Sequence, residues 1–324
     1  MQIPPDQAAD LAAEALARPA AEARPFGSGK FSQTFLITSD GPEEHVMRIA
    51  PPDELRQLFY ERRMMRQEPQ LHERLLAATD APVPEILHHD FSRGRIDRDW
   101  LIMPRLPGVP LSEASLDADK RAEAIRQWGR YIAQAHRITD PDNRFGYLGA
   151  HNCMEPQDTW AEAFAVMYRK ELDDIVETGI WDSAQADQAI SLLEANLDAF
   201  GSVDTSCLCH GDIWVTNLMV DSCGQVTGVI DWDRACWGDI EWDLAIAEYC
   251  GVTSDAFWAG YGRRIDTHTG PAAMRRMWYL LYEHQKYIVI SMSARRNDPA
   301  GARRYAADCR RVLEAFDSTQ IPQF

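Results

Sequence analysis

The chain has 324 residues, 45% of them apolar, which is enough for two lobes with sizeable cores. Fifty Asp and Glu against 33 Lys and Arg leave a formal charge of −17, so nucleic acid is excluded as the main partner because its phosphates would be repelled. The same acidity suits a small cationic partner if some of the acids face a pocket, and no apolar run is long enough to span a bilayer, so no membrane partner is expected.

Met1 to Asp6 has neither the basic start nor the apolar core of a secretory signal. Residues 6–17 are Ala- and Leu-rich and read as a surface helix ended near Pro19. Pro25-Phe-Gly27-Ser28-Gly29-Lys30-Phe31-Ser32 is a small-residue turn that leads into a strand at 34–38. It lacks the spacing of a Walker loop. Residues 45–49 read as the next strand, with Arg48 inside it. Residues 54–67 place Leu55, Leu58, Phe59 and Met65 at helical spacing, with Glu61 in the middle. Pro82-Val-Pro84 leads into a fourth strand. Residues 99–108 hold a further strand that runs out through Met103-Pro104-Arg105-Leu106-Pro107-Gly108.

Beyond Val109 the pattern becomes helical. Ala124, Trp128, Tyr131, Ile132 and Ala135 share one face of 119–136. Residues 159–177 and 183–200 are helical too, with Trp160, Phe164 and Met167 spaced for a core. Later, 244–249 reads as a helix capped by Asp243. Residues 272–290, with the stripe Met277, Leu280, Leu281, His284 and Ile288, and residues 299–316 close the chain. The seven cysteines are odd in number and scattered, with no zinc-like pairing, and read as free thiols of a reducing cytoplasm. There is no internal repeat and no low-complexity linker.

The densest chemistry lies between Cys207 and Ala247. Cys207-Leu-Cys-His210-Gly211-Asp212-Ile-Trp-Val-Thr-Asn217 sets an Asn five residues after an Asp. That is the spacing of a kinase catalytic loop, in which the Asp takes a hydroxyl proton and the Asn holds magnesium. Residues 218–220 and 226–230 read as strands around the turn Asp221-Ser-Cys-Gly224. Such a hairpin would bring Asn217 and Asp231 to neighbouring strand ends. Magnesium is a hard ion that prefers oxygen donors, so an amide oxygen and a carboxylate suit it. Gly238-Asp239 and Asp243-Leu-Ala complete the ordered set.

His210-Gly211-Asp212 with Asn217, then Ile230-Asp231-Trp232, then Gly238-Asp239 and Asp243-Leu244-Ala245, resemble the aminoglycoside phosphotransferase family, whose fold is similar to that of protein kinases. The resemblance is dense over about forty residues and looser over most of the chain. It implies an α+β, two-lobed fold: an N-terminal antiparallel sheet lobe over 1–106, ending at a hinge, and a larger, mainly helical C-terminal lobe over 107–324. It implies magnesium and ATP or GTP as co-substrate. Asp212 would then be the catalytic base, with Asn217 and Asp231 as metal ligands. Ser28 and Ser32 would lie near the triphosphate. Arg48 would grip phosphate where a lysine is usual, braced by Glu61, with Glu54 as an alternative and Glu68 ranked behind both because Pro69 would close the helix there. Met103, the carbonyl of Pro104 and the amide of Leu106 would meet the nucleobase. His210 would orient the loop and Asp239 would brace it. Asp233, Glu248 and Glu283 are the acids expected to face a cationic acceptor, and Trp232, Trp237 and Trp242 are expected near the site, chiefly as packing. An aminoglycoside or aminocyclitol is the favoured acceptor, ahead of a choline-like or sugar-amine metabolite; a nucleotide-binding module without catalysis is the reading from another class. Oligomeric state and the choice of nucleotide are left open by the sequence.

Overall fold

A computed structural model describes residues 2–18, 22–27, 31–294 and 296–316. Five strands form one antiparallel sheet: β1 (Glu22–Pro25), β2 (Gln33–Thr38), β3 (Glu44–Ile49), β4 (His88–Asp90) and β5 (Trp100–Pro104), in the order β1-β2-β3-β5-β4. The two-residue period of β3 decides what each face does. His45, Met47 and Ile49 are buried, and Met47 and Ile49 pack with Phe35, Ile37, Trp100 and Ile102 under α1 (Pro5–Leu16). Val46 and Arg48 take the opposite face, where Val46 packs with Ala50, Met65, Leu101 and Met103.

The remainder of the chain is mainly helical: α2 (Glu68–Ala78), α3 (Ala118–Ala135), α4 (Trp160–Glu177), α5 (Ser183–Glu194), α6 (Ile240–Tyr249), α7 (Asp255–Tyr261), α8 (Gly270–Met292) and α9 (Pro299–Ala315). Side-chain caps start several of them. Asp117 accepts from the Lys120 amide, while Thr159 with Glu162 and Asp182 with Gln185 form reciprocal capping boxes. Trp160, Phe164 and Met167 are fully buried, as their spacing implies. Between the helices lie short strands, β6 (Val109–Pro110), β7 (Cys207–Cys209), β8 (Leu218–Val220), β9 (Val226–Val229) and β10 (Cys236–Gly238), paired as β6-β8-β9 and β7-β10. The result is the α+β arrangement of a small antiparallel sheet lobe and a larger helical lobe.

Three expectations need correction. Residues 54–67 do not form a helix. Residues 51–63 are turns and irregular chain, Arg63 has a left-handed backbone (φ 61°), a short 3-10 turn covers Met64–Gln67, and α2 starts at Glu68. Pro69 opens that helix rather than closing one, because a proline in the first turn loses no helical hydrogen bond. The helix after β10 starts at Ile240, with Asp239 as its cap, and Asp243 lies one turn inside. Leu197–Phe200 is a separate 3-10 turn rather than the end of α5. Among the described residues, no helix is long and apolar enough to cross a membrane.

Candidate active site

The hairpin β8–β9 forms as its sequence demands. Leu218 pairs with Val229, and the Asp221 carboxylate accepts from the amides of Cys223 and Gln225 to shape the turn. Gly224 sits at φ 82°, where a Cβ would lie 2.7 Å from the Lys120 carbonyl, so only glycine suits. The hairpin carries Asn217 and Asp231 at its two ends. The Ile230 amide donates to the Asn217 carbonyl at 3.0 Å, which fixes the two ends side by side.

Asn217 is buried, and its Nδ2 donates to Asp212 Oδ2 at 2.8 Å and to the Asp212 carbonyl at 2.9 Å. That commits the amide nitrogen and leaves the amide oxygen as the atom to offer a hard cation. Asp231 has a left-handed backbone (φ 69°), and 41% of its side-chain surface is open to the cleft. Partial desolvation there, and then the charge of Asp233, hold its carboxyl well above the usual carboxylate range, with Arg48 opposing. A divalent ion bound there would reverse this, since it favours the ionised form. The donor set of one amide oxygen and one carboxylate therefore fits magnesium.

The loop carrying Asp212 is held from several sides. His210 is fully buried; its Nδ1 accepts from the Asp212 amide at 3.3 Å and its Nε2 faces the Ile230 carbonyl at 3.1 Å. Those two contacts require the neutral tautomer protonated on Nε2, and burial holds the pKa below the usual histidine value. With both nitrogens engaged, His210 orients the loop. The expected brace Asp239 lies elsewhere: it caps α6 and accepts from Arg275 Nε at 3.0 Å and Tyr279 Oη at 2.7 Å. The brace is Asp243. Its carboxylate accepts from the amides of His210 at 2.6 Å and Gly211 at 2.7 Å, and contacts His136 Nε2 at 3.1 Å. From the other side, Arg234 Nη1 donates to the Gly211 carbonyl at 2.8 Å. Neither role was read from the sequence, although the spacing of Asp243 within Asp243-Leu-Ala was part of the motif.

Arg48 reaches across from the sheet. Its Nη1 donates to Glu68 Oε2 at 2.7 Å, and its Nη2 contacts Asp233 Oδ2 at 2.8 Å and Asp231 Oδ1 at 3.4 Å. The carboxylate that braces Arg48 is therefore that of Glu68, not Glu61, whose Oε2 accepts from the Leu58 amide at 2.8 Å. Burial pushes the Glu68 carboxyl up to about 7 while Arg48 works against it.

All three acids expected to meet an acceptor lie against the protein's own cations. Glu283 is buried and takes both Arg234 nitrogens, at 2.8 and 2.6 Å, and Lys286 at 2.6 Å. Burial alone would raise it, but those two cations outweigh burial and hold it at about 2. Asp233 is held by Arg48. Glu248, half-buried, contacts His268 at 2.8 Å and Arg276 at 3.2 Å. Trp232, Trp237 and Trp242 are buried and serve as packing. The exposed indole is Trp214, two residues past Asp212 and 42% open, which the sequence reading passed over.

At the end of β5, Met103 is 8% exposed and Pro104 closes the strand. The Arg105 amide donates to the Glu44 carbonyl, so the next backbone donor without a partner among the described residues is that of Leu106. Ser32 Oγ is buried with no hydrogen-bond partner among the described residues. Ser28 lies outside the described residues.

A model described as the phosphotransferase enzyme family matches residues 22–277. The chain is 29% identical to viomycin phosphotransferase of Streptomyces vinaceus over 209 residues, 60% of this chain and 69% of that protein. It is 26% identical to a probable ketoamine kinase of Vibrio cholerae over 244 residues, 72% of this chain and 74% of that one. Its fold is similar to the apo crystal structure of a thermostable mutant of aminoglycoside phosphotransferase APH(4)-Ia, with TM-score 0.67 and 16% identity over 96% of this chain and 100% of that one. A ternary complex of such a mutant with AMP-PNP and hygromycin B gives TM-score 0.65 at 17% identity over 96% and 99%.

Proposed function

From the premise that the chain belongs to the phosphotransferase enzyme family, we propose that it moves the terminal phosphate of ATP or GTP to a hydroxyl of a small molecule, with magnesium bound. The observation that carries this reading is the meeting of Asp212, Asn217 and Asp231, with Arg48 reaching the last from the sheet lobe. In this reading the lobes divide at residues 106 and 107, and Met103, Pro104 and Leu106 line the nucleobase. Ser32 and Arg48 approach the phosphates. A guanidinium suits that task because it stays charged and donates from two arms. The Asp212 carboxylate accepts the acceptor's hydroxyl proton as the oxygen attacks, and Asn217 Nδ2 holds that carboxylate in place. Magnesium on Asn217 and Asp231 would neutralise charge on the triphosphate.

An antibiotic of the aminoglycoside or viomycin type is one acceptor class. A sugar amine of the ketoamine type is the second, and one observation favours it. With Glu283 and Asp233 already paired internally, fewer carboxylates are left to bind a polycation, while the exposed Trp214 ring offers a surface on which a sugar can stack.

The test is a panel containing viomycin, hygromycin B, gentamicin and a ketoamine sugar, incubated with magnesium and ATP or GTP and scored for phosphate addition by mass spectrometry. One acceptor should gain a single phosphate, and Asp212→Ala should lower kcat by about 10²- to 10⁴-fold. Equal turnover by wild type and variant would remove Asp212 from the chemistry.

A further inference from the structure

Arg48 stands where a lysine is usual, and its neighbours account for the exchange. An ammonium is a point charge on a flexible stem, whereas a guanidinium is a flat fork whose two arms can serve two partners at once. Here the arms are divided between two carboxylates, Glu68 at 2.7 Å and Asp233 at 2.8 Å. Glu68 comes from the first turn of α2, and Asp233 from the 3-10 turn Trp232–Arg234 that follows Asp231. The side chains are 1% and 8% exposed, and that of Arg48 is 14% exposed, so water replaces little of what either contact supplies. Gln67 Nε2 donates to the Asp233 carbonyl, which ties this residue to the segment just before Glu68. The third contact, to Asp231, is longer at 3.4 Å.

We propose that Asp233 is a positioning residue for Arg48, the second seat that a guanidinium needs and a lysine would leave empty. The proposal rests on the reading of Arg48 as the phosphate grip. Asp233 therefore acts in nucleotide binding and not on the acceptor. Loss of either arm leaves the guanidinium held at one point and Asp233 or Glu68 as a buried carboxylate without its cation.

The test is a double-mutant cycle on nucleotide affinity, which needs no knowledge of the acceptor. AMP-PNP with magnesium is titrated calorimetrically into wild type, Arg48→Lys, Asp233→Asn and the double variant, each checked for folding by thermal melt. Each single substitution should weaken binding by about tenfold, and the double variant should be within about twofold of the weaker single one, because a lysine cannot use the second seat. Asp233→Glu should recover most of the affinity. Losses that multiply in the double variant, or wild-type affinity in Asp233→Asn, would overturn the proposal. If Asp233→Asn does not fold, Asp233→Ser closes the same cycle. A wild type that fails to bind AMP-PNP would instead overturn the phosphate-transfer reading itself.

Discussion

Asp174 illustrates how much a single buried acid can owe to packing. It lies on α4, accepts the Phe59 amide at 2.6 Å and sits 3.5 Å from Arg62, yet burial pushes its carboxyl up to about 7. A free Asp titrates near 3.9, so the native state holds the proton more tightly than the unfolded chain does. The stability Asp174 contributes is therefore complete below about pH 4 and is lost as pH rises towards 7. Asp174→Asn keeps an oxygen for the Phe59 amide and cannot ionise. The stability of wild type relative to this variant should fall by up to about 4 kcal/mol between pH 4 and pH 7 in urea melts. Parallel pH curves would show that Asp174 titrates in the folded protein as it does in the unfolded chain. The charged residues of the cleft teach the same lesson. Asp212, Asn217 and Asp231 were legible because their spacing is set by local chain geometry. The partner of Arg48 was not, since twenty residues and a misread helix separate it from Glu68.

At the scale of elements, the amphipathic helices and the β8–β9 hairpin follow from local pattern, and their caps agree with it. Residues 54–67 failed because their apolar spacing looks helical although Leu58, Phe59 and Tyr60 lie in non-helical chain pressed into the core of the helical lobe. Burial can order a turn as well as a helix, so periodicity alone misleads there. The contact between α3 and α7 is another feature set by close approach. A Cβ on Gly260 would lie 1.7 Å from the Arg126 carbonyl, and one on Gly129 would lie 2.1 Å from that of Phe257. Gly260→Ala should therefore cost about 3 kcal/mol of stability by urea melt, since backbone atoms cannot move aside cheaply. Unchanged stability would mean that the two helices stand further apart.

For the whole molecule, Arg48 joins the sheet lobe to the helical lobe through Asp233 in the turn after β9, while its other arm holds Glu68 of α2. Binding of magnesium and nucleotide between them should stabilise the folded chain as one unit. At AMP-PNP a hundredfold above its Kd, with magnesium, stability should rise by about 2.7 kcal/mol, read as a higher Tm. Asp231→Ala should lose most of that gain at the same concentration, because the carboxylate offered to the ion is gone. A full gain in the variant would take Asp231 out of metal binding.

The order of residues along the chain determined the hairpin and the three side chains of the proposed phosphate-transfer site, because these lie within about twenty positions of one another, and the resemblance those motifs carry supplied the fold class. The tertiary structure alone decided which acids are free. It gave Glu68 and Asp233 to Arg48, Glu283 to Arg234 and Lys286, and Asp243 to the loop amides. A carboxylate reads the same in a sequence whether it faces solvent or a buried cation. Only packing brings the cation within reach and removes the water that would otherwise screen it.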